Sequence, residues 1–392
     1  MSKLDHYLSP EFVREGAEKI LEATLRGETH FRYHPERMSD TVDFVLKVIS
    51  ENYPDLKIPF HSRWGHFRVG GVDRLGWLKK RFAASHGANA DHALEMARIQ
   101  FDLVIPSVLL DAGAGPTWKY QEAETGQTFA RSEGLGVASF HLFYSGKLKS
   151  TAEGLKAITR SDIELAFQVS AQNPLVGVEG RTMLLNLLGR VLENPKYFKD
   201  GRVGNLIDYL IETHGMRIAA KDVLKAVLQA LGPIWPGRIE FEGVNLGDVW
   251  NHSRFGMIGF HKLSQWMTYS LLEPLMEAGI EIHGVSELTG LAEYRNGGLM
   301  MDSGLISFQN PELAKKAHLP SSDLILEWRG LTVALLDRIG TEVRKKLGRT
   351  PEEFPLAKVL EGGTWWAGRK IAQLKRNSSE PPIRIESDGT VF

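Results

Sequence analysis

Apolar residues recur at helical spacing along most of the chain. Ser9-Pro10-Glu11 marks a helix start: a serine oxygen can accept from free first-turn amides, and proline at the first helical position forfeits no hydrogen bond. Phe12, Ala17, Ile20, Leu21 and Leu25 then form a stripe on one face, which Gly27 ends. Asp40 to Ile49 repeats the pattern through Val42, Phe44, Val45 and Val48. Ser161-Asp162-Ile163-Glu164 has the spacing of a capping box. Leu184 to Leu192, Leu206 to Ile211 and Val223 to Leu231 are further amphipathic stretches. The two longest predicted helices are Phe255 to Ala278, with Pro274 placed to kink it near its end, and Ser322 to Leu347.

Strand signals are few. Val69 and Val72 are interrupted by Gly70-Gly71, and the tail pairs Ile383-Arg384-Ile385-Glu386 with Thr390-Val391-Phe392 across Ser387-Asp388-Gly389, a hairpin pattern. The expected fold is mainly α with minor β structure. No repeat at solenoid period and no low-complexity tract divides the chain. Residues 1–392 are therefore expected to form one intimate helical unit, with a possible seam at Gly232-Pro233-Ile234-Trp235-Pro236-Gly237, which can equally be an ordered loop.

Composition narrows the chemistry. The 392 residues include no cysteine, so disulfides, thiolate metal sites and a cysteine nucleophile are excluded. The 47 Lys+Arg and 48 Asp+Glu leave a net charge of −1, too little field to hold a nucleic-acid polymer, though a local basic pocket is still open. No apolar run approaches the roughly 20 residues of a spanning helix, and the start Met1-Ser2-Lys3-Leu4-Asp5-His6 lacks a secretory pattern. A cytoplasmic protein without a membrane partner is expected.

Nucleotide and protease signatures are missing: no dinucleotide glycine loop follows a strand, and Ser145-Gly146-Lys147 lacks the upstream glycine of a phosphate loop. H-E-x-x-H and G-x-S-x-G are absent as well. Four unusual clusters stand out. Pro59 to Arg68 holds His61, Arg63, Trp64 and His66, followed by Arg74; guanidinium forks and imidazoles suit a phosphate or carboxylate, and the indole can wall a flat ligand. The same residues also fit a surface loop with snorkelling arginines, or a metal site on His61 and His66. Asp111 ends the apolar run Phe101–Leu110; a carboxylate at the edge of a core either marks a site or ties down the Ala112-Gly113 turn. Glu293 and Arg295 lie in the glycine-rich stretch Glu287–Gly304, as a buried structural pair or as a desolvated catalytic carboxylate and its partner. Leu360-Glu361-Gly362-Gly363-Thr364-Trp365-Trp366 fits a ligand wall or close helix packing.

These clusters carry a resemblance. Ile58–Trp64, Asp102–Gly115, Leu288–Gly298 and Glu361–Trp365 look like the uracil-catabolism protein family of the URC pathway, formerly a domain of unknown function. The likeness runs from near residue 58 to near 369. It implies a step in a route that opens uracil's ring at the nucleotide level and releases urea. Leu291-Ala292-Glu293-Tyr294-Arg295, followed by Gly304-Leu305-Ile306, is also similar to the Ala-Asp-Tyr-Arg stretch of queuosine salvage N-glycosidases. That likeness implies a large helical fold of the DNA-glycosylase or queuosine-salvage type. Glu293 stands where those proteins have aspartate, and Asn296-Gly297-Gly298 replaces their following residues.

Together the resemblances imply hydrolysis of the C1′–N bond of a small phosphorylated nucleoside-like substrate, a ribosylurea-type 5′-phosphate. Its oxocarbenium-like transition state needs negative charge near C1′ and a base for water. On this reading Glu293 is stabiliser or base, Arg295 orients it, and Asp111 holds the ribose hydroxyls or urea. Arg63, His61 and Arg74 meet the phosphate, Trp64 and Trp365 exclude water, and no metal or organic cofactor is required. A metal-dependent amide or ring hydrolase drawing on His61, His66 and Asp111, and a non-catalytic nucleotide-binding protein, are the alternatives. The sequence fixes no oligomeric state.

Overall fold

Ser9 caps the helix Pro10–Leu25 through the Phe12 amide at 3.2 Å, and the predicted apolar stripe (Phe12, Ala17, Ile20, Leu21) is buried. In this computed structural model, which describes residues 2–86, 90–235, 239–377 and 380–386, the protein is mainly α, and its short strands pair only two by two. No helix among the described residues is long and apolar enough to cross a membrane.

The chain divides into two units. The first comprises Met1–His61, Gly237–Gln265 and Gly284–Val391; the second comprises Ser62–Pro236 and Trp266–His283.

The first unit is organised around the 25-residue helix Asp323–Leu347, buried along most of its length and packed on Pro10–Leu25. The contact is close enough that a Cβ on Gly330 would lie 2.4 Å from the Ile20 side chain. Arg14 fastens the pair, reaching Asp337 at 2.9 Å and the Leu288 carbonyl at 2.8 Å. The short helix Tyr294–Asp302 packs on Trp365–Arg376 in the same unit.

In the second unit the apolar run ending at Leu110 forms the last part of the helix Ala90–Leu109, with Pro106 inside it. The helix Arg131–Tyr144 packs against it and against the short helix Arg63–Phe67.

Several local expectations change. Phe255 to Ala278 is not one helix: Gly256–Gly259 pairs antiparallel with Val249–His252, and the helix starts at Lys262. Asp248 holds that start, accepting from the Lys262 amide, so the first apolar residues of the run serve a hairpin instead. The capping box belongs to Thr159 and Asp162, two residues upstream of the Ser161-Glu164 pattern. Val69–Gly71 is a turn of 3-10 helix, in which Gly70 takes a φ of 74° that bulkier residues rarely adopt. Arg384–Ile385 pairs in parallel with Ala317–His318, and Thr390–Phe392, the expected second arm, lies outside the described residues.

Candidate functional site

In the first unit, four of the sequence-selected residues gather around the helix Trp365–Arg376. The preceding turn, Leu360–Thr364, is π-helical, a widened turn that costs hydrogen-bond geometry and concentrates at functional sites. Gly362 and Gly363 allow it to seat against Ile58 and Val45, so the glycines of this cluster serve close packing. Glu361 projects from the same turn and accepts from His61 Nδ1 at 2.7 Å and from the Tyr53 hydroxyl at 3.3 Å. Burial, then the charge of Glu361, push the Tyr53 phenol upward, so it stays a donor. The His61 backbone is tied too, its amide donating to the Ala357 carbonyl at 3.0 Å. The His61 ring lies 5.9 Å from the half-buried Trp365 indole, and Arg369 sits over both Trp365 and Trp366 at 5.1 and 5.2 Å. Thr364 Oγ1, at the end of the π turn, is buried without a hydrogen-bond partner among the described residues.

Glu293 caps the helix Tyr294–Asp302, its Oε1 accepting from the Asn296 amide at 3.0 Å. Among the described residues its second oxygen accepts nothing. Arg295, expected to orient Glu293, is buried with its guanidinium 4.8 Å from the Tyr294 ring centre. Its carbonyl lies where a Cβ on Gly368 would come within 2.2 Å, so the absence of a side chain at Gly368 sets how closely this helix approaches Trp365–Arg376. Gly297 does the same for Trp328, whose indole N–H donates to the Gly297 carbonyl at 3.1 Å. The glycine-rich stretch therefore brings backbone up to neighbouring helices.

The second unit holds Arg63, Trp64, Arg74 and Asp111. Arg63 is fully buried, donating from Nε to Ser107 and from Nη1 to Asp111, each at 2.7 Å. Among the described residues its buried Nη2 has no hydrogen-bond partner. Asp111 also accepts from the Ser132 hydroxyl at 2.6 Å, so it answers a guanidinium and leaves the following turn to Arg181. Arg181 holds that turn through the Leu110, Ala112 and Gly113 carbonyls; burial pulls its guanidinium down to about 10. Trp64 is wholly buried with its N–H on the Ser270 carbonyl, which makes it part of the core and no ligand wall. His66 packs edge-on against Trp266.

Arg74 has a different occupation from the phosphate contact expected of it. Its side chain is fully buried, forks onto Glu122 at 2.6 and 2.5 Å, and spends Nη1 on the Phe67 and Val69 carbonyls. Glu122 also accepts from His141 at 2.7 Å and Thr125 at 2.6 Å. Burial pushes this carboxyl up, but the bonds from Arg74, His141 and Thr125, with the Arg74 charge, outweigh it and hold it at about 2. Among the described residues, Glu122, Glu124 and His141 form the one cluster with metal-ligand spacing. The Arg74 fork already fills both Glu122 oxygens, so a cation there would meet a neutralised carboxylate.

Sequence reasoning missed Glu361 as a partner for His61, though a lone carboxylate between Leu360 and two glycines was a usable signal. Ser132, Arg181 and Glu122 carried none.

These features define a mainly helical protein in which, among the described residues, the buried carboxylates Asp102, Glu122, Asp302 and Glu327 are each met by an imidazole or a guanidinium. The chain belongs to the family described as "Protein of unknown function (DUF1688)", which matches residues 6–392. It is 38% identical over 405 residues to Protein urg3 of Schizosaccharomyces pombe, with 98% of each chain covered. It is 37% identical over 440 residues to Uracil catabolism protein 4 of Lachancea kluyveri, with 99% of each covered.

Proposed function

We propose that the protein is a cytoplasmic enzyme of uracil or pyrimidine catabolism that hydrolyses the N-glycosidic bond of a ribosylurea-type nucleoside 5′-phosphate, releasing urea. The observation that carries the reading is the end-to-end similarity to Uracil catabolism protein 4. The local chemistry is compatible with it. Glu293 has one oxygen fixed by the Asn296 amide and one without a hydrogen bond from the described residues. It sits at the positive end of a helix, where negative charge is held favourably. That suits stabilising positive charge at C1′ and leaves proton transfer to another group. The Trp365 indole, half-buried in the same unit, is suited to keeping water from the sugar.

The test is to incubate purified protein with ribosylurea 5′-phosphate and follow urea and ribose 5-phosphate by mass spectrometry. Equimolar release is expected, and Glu293→Gln should lose about 100- to 1,000-fold in turnover while keeping its circular dichroism. Absence of release by the unaltered protein refutes the reaction.

A further inference from the structure

We infer that His61 is the proton-transfer group of this enzyme and that Glu361 is its positioning residue. This rests on the N-glycosidase reading, in which Glu293 serves the charge at C1′ and water still needs a base. Four observations converge. His61 Nδ1 is bound to a carboxylate at 2.7 Å, which fixes the ring and directs the other nitrogen outward from the pair. Among the described residues nothing hydrogen-bonds His61 Nε2. The carboxylate comes from a π-helical turn, a departure from regular helix that concentrates at functional sites. The ring lies against Trp365, on the helix that also receives the Arg295 backbone at Gly368, so His61 and the Glu293 segment belong to neighbouring elements of one unit.

The step balances without a co-reactant other than water. His61 Nε2 takes a proton from water as the C1′–O bond forms. The electron pair of the C1′–N bond leaves with the ureido nitrogen, and Nε2 returns the proton to it. Glu361 accepts the Nδ1 hydrogen bond throughout and stabilises the imidazolium between the two transfers. Tyr53 donates to the other Glu361 oxygen and keeps the carboxylate facing His61.

The experiment uses the full chain and ribosylurea 5′-phosphate. His61→Ala should reduce kcat by about 100- to 10,000-fold, and added imidazole should restore part of it in proportion to its concentration. Glu361→Gln should lower kcat by about 10-fold or more with little change in KM, and Glu361→Asp should recover part of the loss. Nitrogen-15 spectra of histidine-labelled protein give a readout that needs no turnover. They should show His61 protonated at Nδ1 and bare at Nε2, with that tautomer lost in Glu361→Gln. Unaltered-protein turnover with both variants within about twofold overturns the His61–Glu361 assignment and leaves the glycosidase reading standing. An Nε2–H tautomer in the unaltered protein overturns the pairing whether or not urea is released. Failure of the unaltered protein to release urea removes the reaction assigned to the pair.

Discussion

Glu122 and Arg74 are both wholly shielded from solvent, and the carboxylate takes two hydrogen bonds from the guanidinium and one each from His141 and Thr125. Glu122→Gln keeps the shape but turns an amide donor toward groups that are all donors, and leaves Arg74 buried without its counter-charge. Breaking such a pair costs about 3 to 5 kcal/mol. The pH dependence gives a second measure. The carboxyl is held at about 2 against an ordinary 4.5. A lowered carboxyl contributes stability that is complete above the ordinary value and declines as pH falls toward the folded one. At ~1.36 kcal/mol per pH unit, the contribution is about 3 kcal/mol at most, of which about 2 should be gone by pH 3. Urea unfolding followed by circular dichroism at pH 7, 5 and 3 checks both. The gap between the unaltered protein and Glu122→Gln should be wide at pH 7 and 5 and narrow at pH 3. Replacing both partners, Arg74→Met with Glu122→Leu, should recover most of the loss. A gap under about 1 kcal/mol at pH 7, or one as wide at pH 3 as at pH 7, refutes the reasoning.

Asp102 should show the opposite slope. Burial pushes it up to about 6 despite Arg202 and the Gly204 amide, so its contribution is complete below the ordinary 3.8 and lost as pH rises through about 6. Asp102→Asn should flatten the stability curve over that window in the same urea titration, and an unchanged slope counts against the assignment. Gly368→Ala should lower the melting temperature through a clash with the Arg295 carbonyl, costing about 1 to 3 kcal/mol. Gly180→Ala, inside the helix Val178–Val191 and with nothing within 4 Å of the added carbon, should be neutral or gain up to about 1 kcal/mol; equal melting temperatures for the two variants would contradict the close approach.

Helices were legible where several signals agreed. Ser9, Pro10 and the following apolar stripe point to one start, and the structure has it there. The capping box was misplaced because Thr159-x-x-Asp162 and Ser161-x-x-Glu164 share one spacing. The earlier start buries Ile163 and lets Glu164 meet Arg160 at 2.7 Å, a preference set by packing. Phe255–Ala278 reads as continuous because a short buried strand and a buried helix turn look alike when both are apolar. The candidate residues were legible one at a time, from odd composition in helical surroundings. Their partners were not: Asp111 lies 48 positions from Arg63, and Glu361 lies 300 from His61. Local pattern carries no information at that range. Glycine-rich segments mark close backbone approach without saying to what, and here Gly297 and Gly368 approach helices.

The separation of His61 from Glu361 also bears on how the chain is made. The first unit is assembled from Met1–His61, Gly237–Gln265 and Gly284–Val391, whereas most of the second lies in the continuous stretch Ser62–Pro236. During synthesis the amino-terminal helices emerge first, yet the long helix that covers Pro10–Leu25 is encoded only from residue 323 onward. Phe12, Ile20 and Leu21 must therefore wait, apolar and uncovered, while some 300 further residues are added, about 15 to 60 seconds at ordinary translation speeds. A ribosome stalled before residue 323 would carry a nascent chain with the helix Pro10–Leu25 unshielded, a natural target for chaperone capture.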